Sequence, residues 1–202
     1  MKDRFNWIWG GLALFALSSC VTDGTTDGGD AQPTATADLP PLPDWPAEEA
    51  EVAKTAVRAL IPLSEGQFVH ALAHTRKPNF KQDPWMTMSR LEETTLISFQ
   101  RKLNQHCLLP RGGWPTEIEV DFNDEVRQIL SRQTGWAGYY AEYPNSAGHV
   151  EFSRVGLSED GRQAMIYVGY QKHWVEGTGK LLLLQDSGLG WKVIDVSHLW
   201  GQ

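Results

Sequence analysis

The chain has 202 residues, 18 basic against 25 acidic for a net charge of −7, and 41% hydrophobic residues including nine tryptophans. The acidic balance argues against nucleic acid or an anionic membrane surface as partner, since both require basic patches, so no nucleic-acid partner is expected. The apolar content suffices for one core of about 150 residues.

Lys2 and Arg4 make the start positive, offset by Asp3. Phe5 to Leu17 is mostly apolar, and the small residues Ser18 and Ser19 precede Cys20. This is the order of parts in an export signal. The apolar run is shorter than the roughly 20 residues of a spanning helix, so it reads as a cleaved leader rather than an uncleaved anchor. Leu17-Ser18-Ser19-Cys20 resembles the lipobox of bacterial lipoproteins. The resemblance implies cleavage before Cys20, a diacylglyceryl thioether on its sulfur and acylation of the new amino terminus, with the lipid bilayer as partner. Each buried methylene contributes about 0.8 kcal/mol, so two or three acyl chains hold where one does not. Val21 stands where an Asp often marks retention at the inner membrane. The implied location is the cell envelope, at the periplasmic face of the outer membrane rather than the inner one. With Cys20 committed to lipid, Cys107 has no disulfide partner and reads as a small buried hydrophobe rather than a reactive thiol. Without residues 1–19 the balance is 16 basic against 24 acidic, a net of −8.

Residues 1–19 are therefore the expected signal peptide, and 20–46 the lipidated amino terminus and tether. The tether is rich in Gly, Thr, Asp and Pro, a composition that cannot bury enough surface to offset ordering entropy. A flexible chain of that length spans roughly 28 Å. Residues 47–202 are expected to form a single α+β domain. A first helix is expected from Pro46, with Val52, Ala53, Ala56, Val57, Leu60 and Ile61 on one face, ending at Pro62. The segment 67–74 reads equally as strand or short helix. A second helix is expected from Ser89, with Ser89 and Glu92 at capping-box spacing and Leu91, Leu96, Phe99, Leu103 and Cys107 near one face. Glu117 to Phe122 alternates as a short strand, and Asn123 stands where a cap would open a helix carrying Val126, Ile129 and Leu130.

The carboxyl-terminal third shows four strands, about 149–156, 163–171, 178–185 and 190–197. Glu159-Asp160-Gly161 and Asp186-Ser187-Gly188-Leu189-Gly190 suit tight turns. Short connections make neighbours antiparallel. The expected fold is thus α+β, with amino-terminal helices packed on a four-stranded antiparallel meander. Ala164 to Tyr170 and Leu181 to Leu184 are apolar on both faces and should lie centrally. Gly190-Trp191-Lys192-Val193 and the late Trp200 resemble the closing half of an uncharacterised family of bacterial secreted and lipoprotein domains. The hairpins are also similar to the end of the nuclear-transport-factor-like fold, which implies a curved antiparallel sheet with a cone-shaped pocket. Neither resemblance transfers a catalytic residue.

Several groups carry candidate chemistry. His70 and His74 would share one face of a helix as zinc ligands do, but Ala71 stands where a metalloprotease has Glu and no third ligand is signposted; no metal is expected. His106 and Cys107 are adjacent, and adjacent residues point apart; His149, His173 or His198 would have to serve as base. Gly177-Thr178-Gly179-Lys180 lacks the phosphate-loop pattern, because Trp174 and Leu181 occupy two required positions. Its glycines read as turn residues, and no cofactor is expected. Trp136, Tyr139, Tyr140, His173 and Trp174 form the candidate binding rim: exposed, they would stack on sugars or grip a protein, and buried, they would seal the core edge. The expected function is a membrane-tethered envelope lipoprotein with a binding or structural role and an envelope protein or glycan as partner. The alternatives are a pocket enzyme of nuclear-transport-factor-like fold or an inhibitor of a basic envelope enzyme.

Overall fold

A computed structural model describes residues 45–80 and 83–201. The leader, Cys20 and the tether up to residue 44 lie outside the described residues. The tether is shorter than expected at its far end, because Trp45 is already buried in the core and its backbone N–H donates to the Leu108 carbonyl. Among the described residues no helix is long and apolar enough to cross a membrane.

The first half of the chain runs α1 (Ala47–Leu60), β1 (Phe68–Leu72), a 3₁₀ turn (Pro84–Thr87), α2 (Glu93–Lys102), β2 (Ile118–Asp121), α3 (Glu125–Ser131) and α4 (Gly135–Glu142). The second half is β3 (Ser146–Phe152), β4 (Gly156–Leu157), β5 (Gln163–His173), β6 (Glu176–Asp186) and β7 (Trp191–Gly201). All seven strands join one sheet in the order β2-β1-β3-β5-β6-β7, with β4 also on β5.

The class is α+β, but the sheet is not a four-stranded antiparallel meander. Strands β3, β5, β6 and β7 do run antiparallel, each to the next. β1 extends this array and pairs in parallel with both β2 and β3. Parallel neighbours need a long crossover: the 3₁₀ turn and α2 lie in the connection from β1 to β2, and α3 with α4 carry the chain from β2 past β1 to β3. The two parallel pairings also depart from the wholly antiparallel sheet of the nuclear-transport-factor-like resemblance. The ambiguity over 67–74 resolves as strand: Val69, His70, Ala71 and Leu72 are all buried, so no alternation marks β1.

One face of the sheet carries Val69, Ala71, Val150, Phe152, Ala164, Ile166, Val168, Leu182 and Leu184 against Val52, Ala53, Ala56 and Val57 of α1. The other face is divided. At one end Met165, Tyr167, Leu181 and Leu183 pack under Met88 and Phe99. At the other end Leu72 packs under Val126, Ile129, Trp136 and Tyr139 of α3 and α4. Both faces of β5 and β6 are therefore covered, and each aliphatic side chain buried this way contributes about 1.5–3 kcal/mol.

Helix ends differ from expectation where tertiary partners take over the capping. α2 starts at Glu93 rather than Ser89, with no side-chain cap of its own; the Glu92 N–H donates to Gln163 Oε1 across 2.8 Å. Cys107 follows the helix instead of lying on it. Asn123 does not cap α3. The carboxylate of Asp121 accepts from the Glu125 and Val126 N–H groups at 2.9 and 3.0 Å.

Glu49, only 1% exposed, ties α1 to the rest. Its carboxylate accepts from Arg154 Nε at 2.8 Å and Nη2 at 2.7 Å, from Lys102 Nζ at 2.9 Å, from the Val155 N–H at 3.1 Å and from the Trp45 indole. Burial pushes this carboxyl up, but the hydrogen bonds from Arg154 and Lys102, the Lys102 charge and the Val155 amide outweigh it and hold it below its ordinary value.

Candidate functional site

A trough of about 360 Å³ opens on the divided face, between the α3–α4 layer and the end of β7. Its volume is in the range of small-molecule sites. Strand alternation places Leu72 of β1, His149 and Glu151 of β3, and Gly169 and Gln171 of β5 on its floor. Arg127, Leu130 and Ser131 of α3 form one wall, and Arg76 closes one end. Trp174 and Trp200 form the other wall, 57% and 38% exposed.

Glycines create the room. Gly169 pairs with Gly179, and Gly179 pairs with Trp200. A Cβ at Gly179 would run into the Trp200 indole, and one at Gly169 would lie 2.7 Å from the Tyr167 hydroxyl. The indole of Trp200 therefore lies flat across a strip without side chains, and its Nε1 donates to the Tyr167 hydroxyl at 3.2 Å. Gly177 and Gly179 belong to β6 and have no positive φ. Their reading as turn residues is corrected: they make space, a common role of glycine within a strand. Trp174 sits in the two-residue link between β5 and β6. Its indole packs on Gly135 at the start of α4, where a Cβ would come within 2.9 Å of it.

Three buried side-chain polar atoms lack a hydrogen-bond partner among the described residues: Thr95 Oγ1, Arg127 Nη2 and His149 Nδ1. The last two belong to side chains that line the trough. Unpartnered buried polar atoms are costly, so their coincidence in one cavity marks it. His149 is 8% exposed. Burial pushes its pKa down to about 4, helped by the charges of His70, Arg127 and Arg76, so the ring is neutral near pH 7. Arg76 Nη1 lies 3.2 Å from Glu151 Oε2. Arg127 Nη1 reaches Asp124 at a longer 3.5 Å.

The five residues of the expected rim do come together. Trp136 packs against Tyr139, Tyr140, His173 and Trp174, with ring centroids 5.3, 5.8, 6.3 and 6.4 Å away. They do not form one exposed surface. Trp136 and Tyr139 are buried core of α4. Tyr140 is half-buried, with its hydroxyl on the Lys172 carbonyl at 2.7 Å. His173 and Trp174 are exposed, and only Trp174 lines the trough. Trp200, Arg76, Arg127, His149, Glu151 and Gln171 complete it, although the rim did not include them. Gly169 and Gly179, each inside a predicted strand, were the available signal.

The remaining candidates are dispersed. His70 and His74 lie on and just after a strand, where four residues span about 13 Å. His70 instead belongs to a closed network: its Nδ1 is 2.7 Å from the Tyr139 hydroxyl, which is 2.6 Å from Ser146 Oγ and donates to the Gly148 carbonyl at 2.9 Å. Among the described residues no group of three His, Cys, Asp or Glu is placed to hold a metal. Cys107 lies in the core on the α1 side of the sheet, opposite His149. Burial pushes its thiol up against the opposing charge of Arg154, and His106 turns to the Thr75 carbonyl.

A larger hollow of about 770 Å³ lies beyond α1, lined by Ile61, Leu63, Gln67, Phe68 and Thr116 among others. It has no tryptophan wall, and its Arg58 and Glu117 bind each other at 2.9 Å. No protein-family model matches the chain, and no curated protein or solved structure matches it either.

Proposed function

We propose that the protein is a lipid-anchored protein of the cell envelope that binds a glycan in the trough between α3 and β7. The lipobox resemblance at Cys20 supports the anchor, and a leash of some two dozen residues would let the domain reach away from the bilayer. A pyranose ring presents rows of C–H groups on its faces and hydroxyls around its edge. Indole walls suit the faces, and Gln171, Ser131 and Glu151 suit the hydroxyls. The observation that carries the reading is that one cavity is lined by two exposed tryptophans and by two side chains, Arg127 and His149, that each carry a buried, unpartnered polar atom.

The test is titration of the full-length protein with soluble glycan fragments of the bacterial cell wall, following tryptophan fluorescence. Saturable quenching is expected, weakened about tenfold or more by Trp174→Ala or Trp200→Ala. Unchanged affinity in both variants would refute the site.

A further inference from the structure

We infer that the part of the trough lined by Arg127 and His149 is an anion subsite, so that the glycan it takes carries a carboxylate or a phosphate beside the ring held by the tryptophans. This rests on the trough being the glycan site. Arg127 is the main ground. Its Nη1 holds Asp124 only at 3.5 Å, and its Nη2 is buried with no acceptor among the described residues. A guanidinium left in that state is satisfied best by an oxyanion, which takes both charge and hydrogen bonds. Nearby, His149 contributes an unpartnered Nδ1.

The charges around the trough agree. Arg76 and Arg127 line it, and the single carboxylate lining it among the described residues, Glu151, is already engaged by Arg76 at 3.2 Å. Among the lining residues one positive charge is left over, on Arg127, whose only carboxylate partner among the described residues, Asp124, stands outside the lining. A neutral sugar offers Arg127 only hydroxyl or amide oxygens, whereas an acidic sugar offers an oxyanion that also balances its charge. The groups facing His149 are His70 of β1, Arg76 after β1, Arg127 of α3 and the Trp136 ring of α4, with Glu151 two residues along β3. An anion seated among them offsets the two arginines and raises the affinity of the imidazole for a proton.

Three probes share one ring: N-acetylmuramic acid with a carboxylate, N-acetylglucosamine phosphate with a phosphate, and N-acetylglucosamine with neither. Each is titrated into detergent-solubilised full-length protein and followed by tryptophan fluorescence. At least one acidic sugar is expected to bind about tenfold or more tightly than the neutral one. A preference confined to one of the two identifies carboxylate or phosphate as the source. Arg127→Gln is expected to bring the ratio of acidic-sugar to neutral-sugar affinity down to about one, whatever it does to the affinity of the neutral sugar. As a measurement independent of any variant, inorganic phosphate is expected to displace the acidic sugar and not the neutral one. Equal affinities in the wild type, or indifference to phosphate, overturn the anion subsite while the glycan site stands. No saturable response to any probe overturns both.

Discussion

The indole of Trp136 lies flat on the imidazole of His149, with ring centroids 5.5 Å apart and planes 12° from parallel. This stack joins α4 to β3 and keeps His149 dry, which has a consequence for stability against pH. The folded pKa of about 4 lies below the ordinary 6.5. The unfolded chain therefore takes up the proton first as pH falls. The contribution of His149 is complete above pH 6.5 and is lost as pH falls through the folded value. Its full size is about 3 kcal/mol. Urea unfolding at half-unit steps from pH 7 to pH 4 should show this decline. His149→Phe, which retains the stack, should flatten most of it, with His70 keeping a smaller share because burial depresses its pKa too.

Glu49 supports the fold in the opposite charge state. Its carboxyl is held below 4.5, so its contribution is present above pH 4.5 and is lost as pH falls through the lower folded value. Replacing it leaves Arg154, which is 9% exposed at the side chain, without its carboxylate. Glu49→Ala is expected to cost about 3–5 kcal/mol at pH 7. Chemical unfolding measures this, and a loss under 1 kcal/mol would contradict the assigned role.

Gly179 tests how the trough is shaped. Gly179→Ala puts a methyl group where the Trp200 indole lies. The expected cost is about 1–3 kcal/mol, as for an overpacked site, together with a red-shifted tryptophan emission as Trp200 is displaced. Gly112→Ala is the control, since nothing lies within 4 Å of the added carbon. Its stability should stay within about 0.5 kcal/mol of the parent.

The anchor is tested separately from the trough. Cys20→Ala should abolish labelling by a fatty-acid probe and partitioning into the detergent phase. Mass spectrometry of the native protein should find neither Met1 nor a bare thiol at Cys20.

The last strands are legible in the sequence because each is long, strongly apolar and bounded by a glycine turn, as at Asp160-Gly161. β1 is not, because a strand buried on both faces loses its alternation: His70 sits beside Val69 and Ala71, yet all three are buried. α4 is hidden by Gly135 and Gly138 within a run of aromatics. Its helix forms because Trp136 and Tyr139 can be buried under tertiary packing, which overrides propensity. Of the two readings open to Trp136 and Tyr139, exposed rim or sealed core edge, the structure shows the second. Trp174 is identifiable from its place at a strand end. Trp200, Arg127 and His149 are not, because β7, α3 and β3 meet only through the sheet order.

The most direct measurement is a two-dimensional NMR map of the tryptophan indole N–H signals during titration with an acidic cell-wall sugar. Trp174 and Trp200 are expected to shift together and saturably, while Trp45 and Trp114, which pack around Phe152 on the α1 side of the sheet, stay in place. Saturable shifts at Trp45 or Trp114 with Trp174 and Trp200 unmoved would contradict this.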